Sequence, residues 1–346
     1  MKRTANALRS LARLALVAAL LIGAGSCEHK PFCWHHPHKC MLKVDFAWWD
    51  APEGEKLVKS MALYVYPKDG SDNRRIDFPG SAGGIIELNT GDYDFLCLNS
   101  DTETLLYEGT EKHHTFNVFT REAHPLSGLE VRAASDGAYS GQGQGASGGF
   151  NIDDTYDTVR RSEGTEDERV SREAENAYGV ALEGVNVHGD EGVLQVVTMY
   201  PRNLMVYVHV IIEDVNCLEK VEKVGGTLSG LSGKVRAADA KRIGEHNIVP
   251  FSLLPNREEH TLEGFFTTFG HCPEDILKGH KLAVYIITEE GDHLFYDYDV
   301  TGQVEESPDE KYITVRVKGL DICAMRDMGV VVDPWIGIPP IVVPMD

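Results

Sequence analysis

The sequence predicts an all-β protein of two tandem β-sandwich domains behind an N-terminal signal segment. Three observations carry that prediction. Apolar, β-branched and aromatic residues fall in runs of four to eight bounded by Gly, Pro, Asn and Asp, as in strands closed by turns. No stretch beyond residue 26 sustains the 3.6-residue period of an amphipathic helix. Residues 27–346 suffice for two domains of about 150 residues each, and 42% hydrophobic with 25% charged residues is a globular composition.

The elements follow in order. VDFAWW (44–49) alternates, with Val44, Phe46 and Trp48 on one face and Trp49 on the other. APEGE (51–55) reads as a turn. MALYVYP (61–67), RIDF (75–78), IIEL (85–88) and YDFLCL (93–98) read as strands, with TLLY and HTFNVF (114–119) as further short ones. Seven of the 22 residues from Gly128 to Gly149 are glycine, a composition too poor in side chains to bury much, so this stretch reads as a long loop. The acidic run 151–176 suggests a short helix near 166–178. GVLQVVTMYP (192–201) is strand-like, and NLMVYVHVII (203–212), apolar on both faces, reads as a central strand. GGTLSGLSGKV (225–235) reads as a strand broken by glycine turns. IVPFSLL, LEGFFTTFG, KLAVYIIT, HLFYDYDV and KYITVRVKG complete the second half. Prolines 334, 339, 340 and 344 forbid a regular central strand in the tail.

Lys2, Arg3, Arg9 and Arg13 precede the nine-residue apolar run LALVAALLI, too short to span a bilayer and of the length of a signal-peptide core. The following LIGAGSC resembles a bacterial lipoprotein cleavage box, which makes Cys27 the lipidation site. More than one acyl chain, at about 0.8 kcal/mol per buried CH₂, gives stable anchoring. An ordinary signal peptide with an incidental Cys27 is the plain alternative. The expected organisation is a signal peptide over 1–26, a Cys/His-rich tether over 27–43, a first domain over 44–122, a Gly-rich and acidic linker over 123–183, a second domain over 184–320 and a Pro-rich tail over 321–346.

The 54 acidic residues outnumber 33 basic ones, for a formal charge of −21, which disfavours nucleic acid and anionic lipid as partners. The membrane is expected as a partner through the lipid anchor only.

CEHKPFCWHHPHKCMLKVDFAWWDAPEG (27–54), MALYVYPKDG (61–70), FPGSAGGIIELNTGDYDFLCLNSDTE (78–103) and NLMVYVHVIIEDVNCLEKVEKVGGTLSGLSG (203–233) together resemble a fimbrillin-related lipoprotein family of Bacteroides-type bacteria. The resemblance implies two transthyretin-like β-sandwich domains. It also implies an anchor or accessory role in a type V-like fimbrium involved in cell adhesion, with fimbrial subunits or other surface proteins as partners. Polymerising relatives lose a first-domain strand by cleavage after an arginine and accept a donor strand in its place. Anchor subunits keep their lipid. No clear cleavage site stands here, so the anchor or accessory role is preferred, at the outer membrane and facing the cell surface.

Each candidate site has a plainer reading beside it. Cys33, Cys40, His35, His36 and His38 offer zinc- or copper-type ligands, but C-x6-C around HHPH matches no closed zinc pattern. A tether with a Cys33–Cys40 disulfide is the simpler account, although six cysteines besides Cys27 allow fifteen pairings. Asp153, Asp154 and Asp157 could ligate calcium, yet lack the spaced loop and terminal Glu, so a solvated acidic turn is preferred. His113, His114 and the His271–Cys272 pair give no nucleophile with an orienting base, because neighbours on a strand face opposite ways. Ser140 and Ser147 lack the G-x-S-x-G frame. No catalytic residue, metal or cofactor is expected. An exposed Trp49 would mark a surface for glycan or protein, and the alternative functions are a glycan-binding outer-membrane lipoprotein and, behind it, a secreted hydrolase.

Overall fold

The computed structural model describes residues 39–130, 159–189, 193–272 and 279–323. In chain order the strands are β1 (Lys39–Phe46), β2 (Ser60–Pro67), β3 (Arg74–Pro79), β4 (Gly83–Asn89), β5 (Gly91–Asn99), β6 (Leu105–Glu108), β7 (Asn117–Thr120), β8 (Arg169–Val170), β9 (Tyr178–Val187) and β10 (Leu194–Met199). They continue as β11 (Arg202–Asn203), β12 (Val206–Glu213), β13 (Val221–Arg236), β14 (Arg242–Ser252), β15 (Leu254–Asn256), β16 (Thr261–Thr268), β17 (Lys281–Thr288), β18 (His293–Asp299) and β19 (Tyr312–Lys318). Two short helices interrupt them, α1 (Pro52–Leu57) and α2 (Thr301–Glu305).

The strands form four sheets in two face-to-face pairs. The first pair is β10-β1-β4 against β11-β9-β5-β2-β3. Between them lies a core built from Leu42, Val44, Met61, Leu63, Phe95, Leu96 and Tyr178. The second pair is β15-β16-β12-β19 against β18-β17-β13-β14-β8, around Val208, Val210, Ile212, Leu228, Leu282, Val284 and Val315. Alternation decides which side chains enter these cores. Along β1, Cys40, Leu42, Val44 and Phe46 point inward and the residues between them outward.

Several local expectations need correction. Residues 52–57 form a helix rather than a turn, since Pro52 opens it and Glu53 and Glu55 meet its positive end. The helix expected near 166–178 is absent: β8 and the approach to β9 occupy that stretch. Residues 159–174, expected as linker, are packed down. Tyr285 Oη donates to the Arg160 carbonyl at 2.8 Å, and Ser162 Oγ to Asp297 at 2.8 Å. The buried Glu168 carboxylate accepts the Gly230 N–H at 2.9 Å. The 183/184 boundary falls inside β9, which pairs with β5 in the first sandwich; the chain enters the second core at Val206.

GGTLSGLSGKV is not broken by turns. It lies within the 16-residue β13, which absorbs its irregularity in register shifts at Leu228/Leu231 and Ser232/Lys234. Its glycines allow close approach: a Cβ on Gly225 would sit 2.7 Å from the carbonyl carbon of Gly128. NLMVYVHVII is the central strand expected of it, with β12 between β16 and β19.

Truncating Leu42, fully buried at the middle of β1, should lower the stability of the first sandwich. We expect Leu42→Ala to cost about 2–5 kcal/mol, read as a lower midpoint in urea unfolding with unchanged slope; an unchanged midpoint would contradict the placement of β1.

Candidate functional site

Cys27, Cys33, His35, His36, His38, Asp153, Asp154 and Asp157 lie outside the described residues. Among the described residues no group of three or more His, Cys, Asp or Glu is placed to hold a metal ion. Cys40, expected to pair with Cys33, is buried with its Sγ 3.5 Å from the Gly189 carbonyl, and that pairing falls outside the described residues with Cys33. The disulfide present joins Cys217 to Cys323 across 106 residues. Nothing in the cysteine spacing singles out that pair.

His113 faces Glu183 at 2.9 Å and Asp94 at 3.5 Å, a partly buried cluster of one imidazole and two carboxylates with no nucleophile in it. The Cys272 thiol donates to the Gly244 carbonyl at 3.2 Å, while the ring of His271 lies against His280, so the adjacent pair has separate partners.

The sheet edges differ in how they are protected. β8, β11 and β15 are two or three residues long, and β3 carries Arg74, Arg75 and Asp77. Both are devices that keep an edge from pairing with another chain. At β10, Gln195 accepts the His188 N–H at 3.2 Å and donates to the Asn186 carbonyl at 2.9 Å, tying the strand to the end of β9.

β4, β18 and β19, of seven residues each, are the longer end strands. Of these β19 runs parallel to β12 over seven residues, and no strand of the described residues pairs with its other side. In this register Ile313, Val315 and Val317 turn their backbone groups toward β12, and Tyr312, Thr314, Arg316 and Lys318 turn theirs outward. Gln303 of α2 takes the place of a partner strand at one residue: its amide donates to the Arg316 carbonyl at 2.9 Å and accepts the Arg316 N–H at 2.7 Å. Beside it opens a groove of about 610 Å³ lined by Asp299, Gln303, Glu306, Ser307, Tyr312 and Thr314.

The surroundings are charged at both ends. Lys318 and then Arg316 hold the Glu213 carboxyl below the usual carboxylate range, at 2.7 and 2.8 Å. At the groove margin the Lys281 ammonium, followed by the Thr301 hydroxyl and N–H, brings Asp299 down to about 2. Tyr312 stacks on Tyr207 with ring centroids 5.1 Å apart and planes 10° from parallel. The sequence marks this pair only as alternate positions on two strands that their pairing brings side by side.

Trp49 is 82% exposed while Trp48 is buried with its indole N–H donating to the Ser81 carbonyl at 2.8 Å. Both follow the end of β1, Trp49 in the turn after it, so the difference in burial is set by that turn and not by strand alternation. The ring of Trp49 lies 5.8 Å from that of Tyr200, tilted by 56°.

Residues 26–252 match a family described as a domain of unknown function, DUF5119. The chain belongs to this family. The DUF5119 match begins beside Cys27 and ends at the last residue of β14, so it takes in the first sandwich and leaves β19 and its groove beyond it. Among solved structures, a candidate adhesin of Bacteroides ovatus is 16% identical with a TM-score of 0.54, over 83% of this chain and 94% of that one. The likeness is one of fold. The fimbrial anchor protein Mfa2 of Porphyromonas gingivalis is 14% identical, with a TM-score of 0.46 over 81% of this chain and 91% of its own. A candidate polysaccharide-binding protein of Bacteroides thetaiotaomicron is 11% identical, with a TM-score of 0.45 over 81% and 91%. A search of curated proteins finds no match.

The Asp299 carboxyl, depressed from an ordinary 3.8 to about 2, stabilises the fold above its unfolded-state value, and that contribution is lost as pH falls through about 2. Asp299→Asn should therefore lower the melting temperature at neutral pH, with the difference from wild type shrinking below pH 4 and vanishing near pH 2. A difference independent of pH would show that the Lys281 pairing is not its source.

Proposed function

We propose that this DUF5119 protein is a non-catalytic, lipid-anchored surface protein, an anchor or accessory subunit of a type V-like fimbrium, with transthyretin-like sandwiches as its two domains. It works by strand addition at a sheet edge. The observation that carries this reading is the edge of β19. There a seven-residue strand presents alternate backbone groups outward, one of them already held by the Gln303 amide in the manner of a partner strand. An extended segment of another subunit would displace Gln303, pair with Thr314 and Arg316, and lay alternate side chains in the groove. The candidate adhesin named above, similar in fold, supports the same direction.

The test uses a substitution that spares the fold. Thr314 directs its N–H away from β12, so Thr314→Pro removes an edge donor and leaves the β12 ladder intact. We expect an unchanged circular dichroism spectrum and capture of fimbrial subunits from native outer membrane weakened about tenfold, the scale of one or two lost backbone bonds. Undiminished capture would contradict the edge. Cys27→Ser should abolish acyl labelling and release the protein from membranes; unchanged fractionation would end the lipoprotein reading.

A second reading, glycan binding, is favoured by the exposed Tyr312 at the groove wall, whose face is flat and is backed by Tyr207. Aromatic faces stack on sugars, and Glu306, Ser307 and Thr314 offer polar groups beside it. Tyr312→Ala would then abolish retention on a polysaccharide column, whereas retention unaffected by the change leaves strand addition as the groove's use.

A further inference from the structure

The outer face of the sheet β10-β1-β4 exposes several large apolar side chains among the polar Lys43, Asp45, Glu87 and Thr198, where a solvated sheet face is ordinarily polar. Met41 is 42% exposed, Ile85 56%, Leu194 44% and Val196 54%. The register sets Met41 opposite Leu194 and Lys43 opposite Val196, so these side chains form one patch. Just past the ends of β1 and β10, Trp49, in a turn, and Tyr200 lie with their rings 5.8 Å apart. Within the patch Lys43 is neutralised by Asp45 at 2.9 Å.

We propose that this face lies in the headgroup region of the bilayer that carries the protein's anchor. The inference rests on the reading of Cys27 as the lipidated residue. Eleven residues, 28–38, separate Cys27 from β1. Even fully extended they reach about 43 Å, and β1 itself supplies Met41 and Lys43 to the patch. Chain connectivity thus keeps this face within reach of one apolar phase, the membrane holding the acyl chains. The composition suits that phase: Trp and Tyr place amphipathic rings at headgroup level, and aliphatic side chains enter the acyl boundary beside them. The overall charge of −21 disfavours anionic headgroups, and the Lys43–Asp45 pair leaves the patch suited to zwitterionic ones such as phosphatidylethanolamine. The aromatic face of the second sandwich has a different character. There His209 stacks on Phe265 and pairs with Glu263 at 3.2 Å, and no short link joins it to Cys27.

The full acylated chain, in a Cys33→Ser background, would be reconstituted in phosphatidylethanolamine–phosphatidylcholine vesicles. A nitroxide would be attached at Ile85→Cys, at Val196→Cys and, as a control, at Phe265→Cys, which is 65% exposed on the second sandwich. Collision with a water-soluble nickel chelate and with oxygen then reports immersion. We expect nickel access at 85 and 196 severalfold below that at 265, with oxygen access raised. Equal nickel access at all three positions overturns the proposal. Shielding from both reagents, the mark of a protein cover such as a second copy, overturns it as well. Should a labelled variant fold poorly, quenching of Trp49 by brominated lipid in the otherwise unaltered protein, measured against Trp49→Phe, decides the same question: quenching supports immersion, and its absence overturns it. The anchor reading fails separately: a wild-type protein that is neither acylated nor buoyant with vesicles defeats Cys27, whereas an acylated, buoyant protein with water-accessible labels defeats only the bilayer contact.

Discussion

The constraint on which both cores depend is steric crowding around β13. This strand is buried along nearly all of its 16 residues and pairs with β14, β17 and, at its far end, β7. Val221, Val224, Leu228 and Leu231 belong to the second core, and Val235 to the first. A strand in that position has room for few side chains. A Cβ on Gly226 would meet the Phe251 ring at 2.7 Å, and one on Gly230, whose φ is +74°, would meet the Gly279 carbonyl at 2.5 Å. The polar residues among the glycines are short, and their hydroxyls are used. Ser229 Oγ accepts the Lys281 N–H at 2.8 Å, and Ser232 Oγ donates to the Lys234 carbonyl at 2.7 Å. Because β7 comes from the first half of the chain and joins β13, the two sandwiches share a strand system instead of meeting only through a linker.

Much of the fold is legible in the sequence because its strands are half-buried and alternate. Spacing alone assigns Val44 and Phe46 to one face, and both are buried. β12 is legible as a central strand because residues on both of its faces are apolar. What escapes the sequence is set by long-range pairing. The serine, threonine and charged residues of 159–174 look solvated in isolation, yet Thr120, Ser171 and Asn247 close a buried hydrogen-bond network with one another. Glycine in β13 reads as punctuation because close packing against distant backbone leaves no local trace.

The candidate site is less legible than the fold. Alternation marks β19 as a strand, but nothing local reveals that a glutamine thirteen residues before Arg316 lies across its edge. The residue that blocks an edge and the edge itself are joined by tertiary structure. The same holds for Tyr207 and Tyr312, more than a hundred residues apart, which become neighbours only through a parallel pairing of β12 with β19. Trp49 is exposed, as expected, but it stands in the turn after β1 and not on the strand.

The middle position of β1 has a mechanical corollary. Any tension delivered from the N-terminal side arrives at the strand that β10 and β4 grip from either flank. A tug along its axis strains both ladders at once, so the bonds resist together in shear instead of parting one by one as in a peeled edge. Four inward side chains, Cys40 to Phe46, must also leave the core in the same event. A pull from that side therefore meets two ladders and a core together.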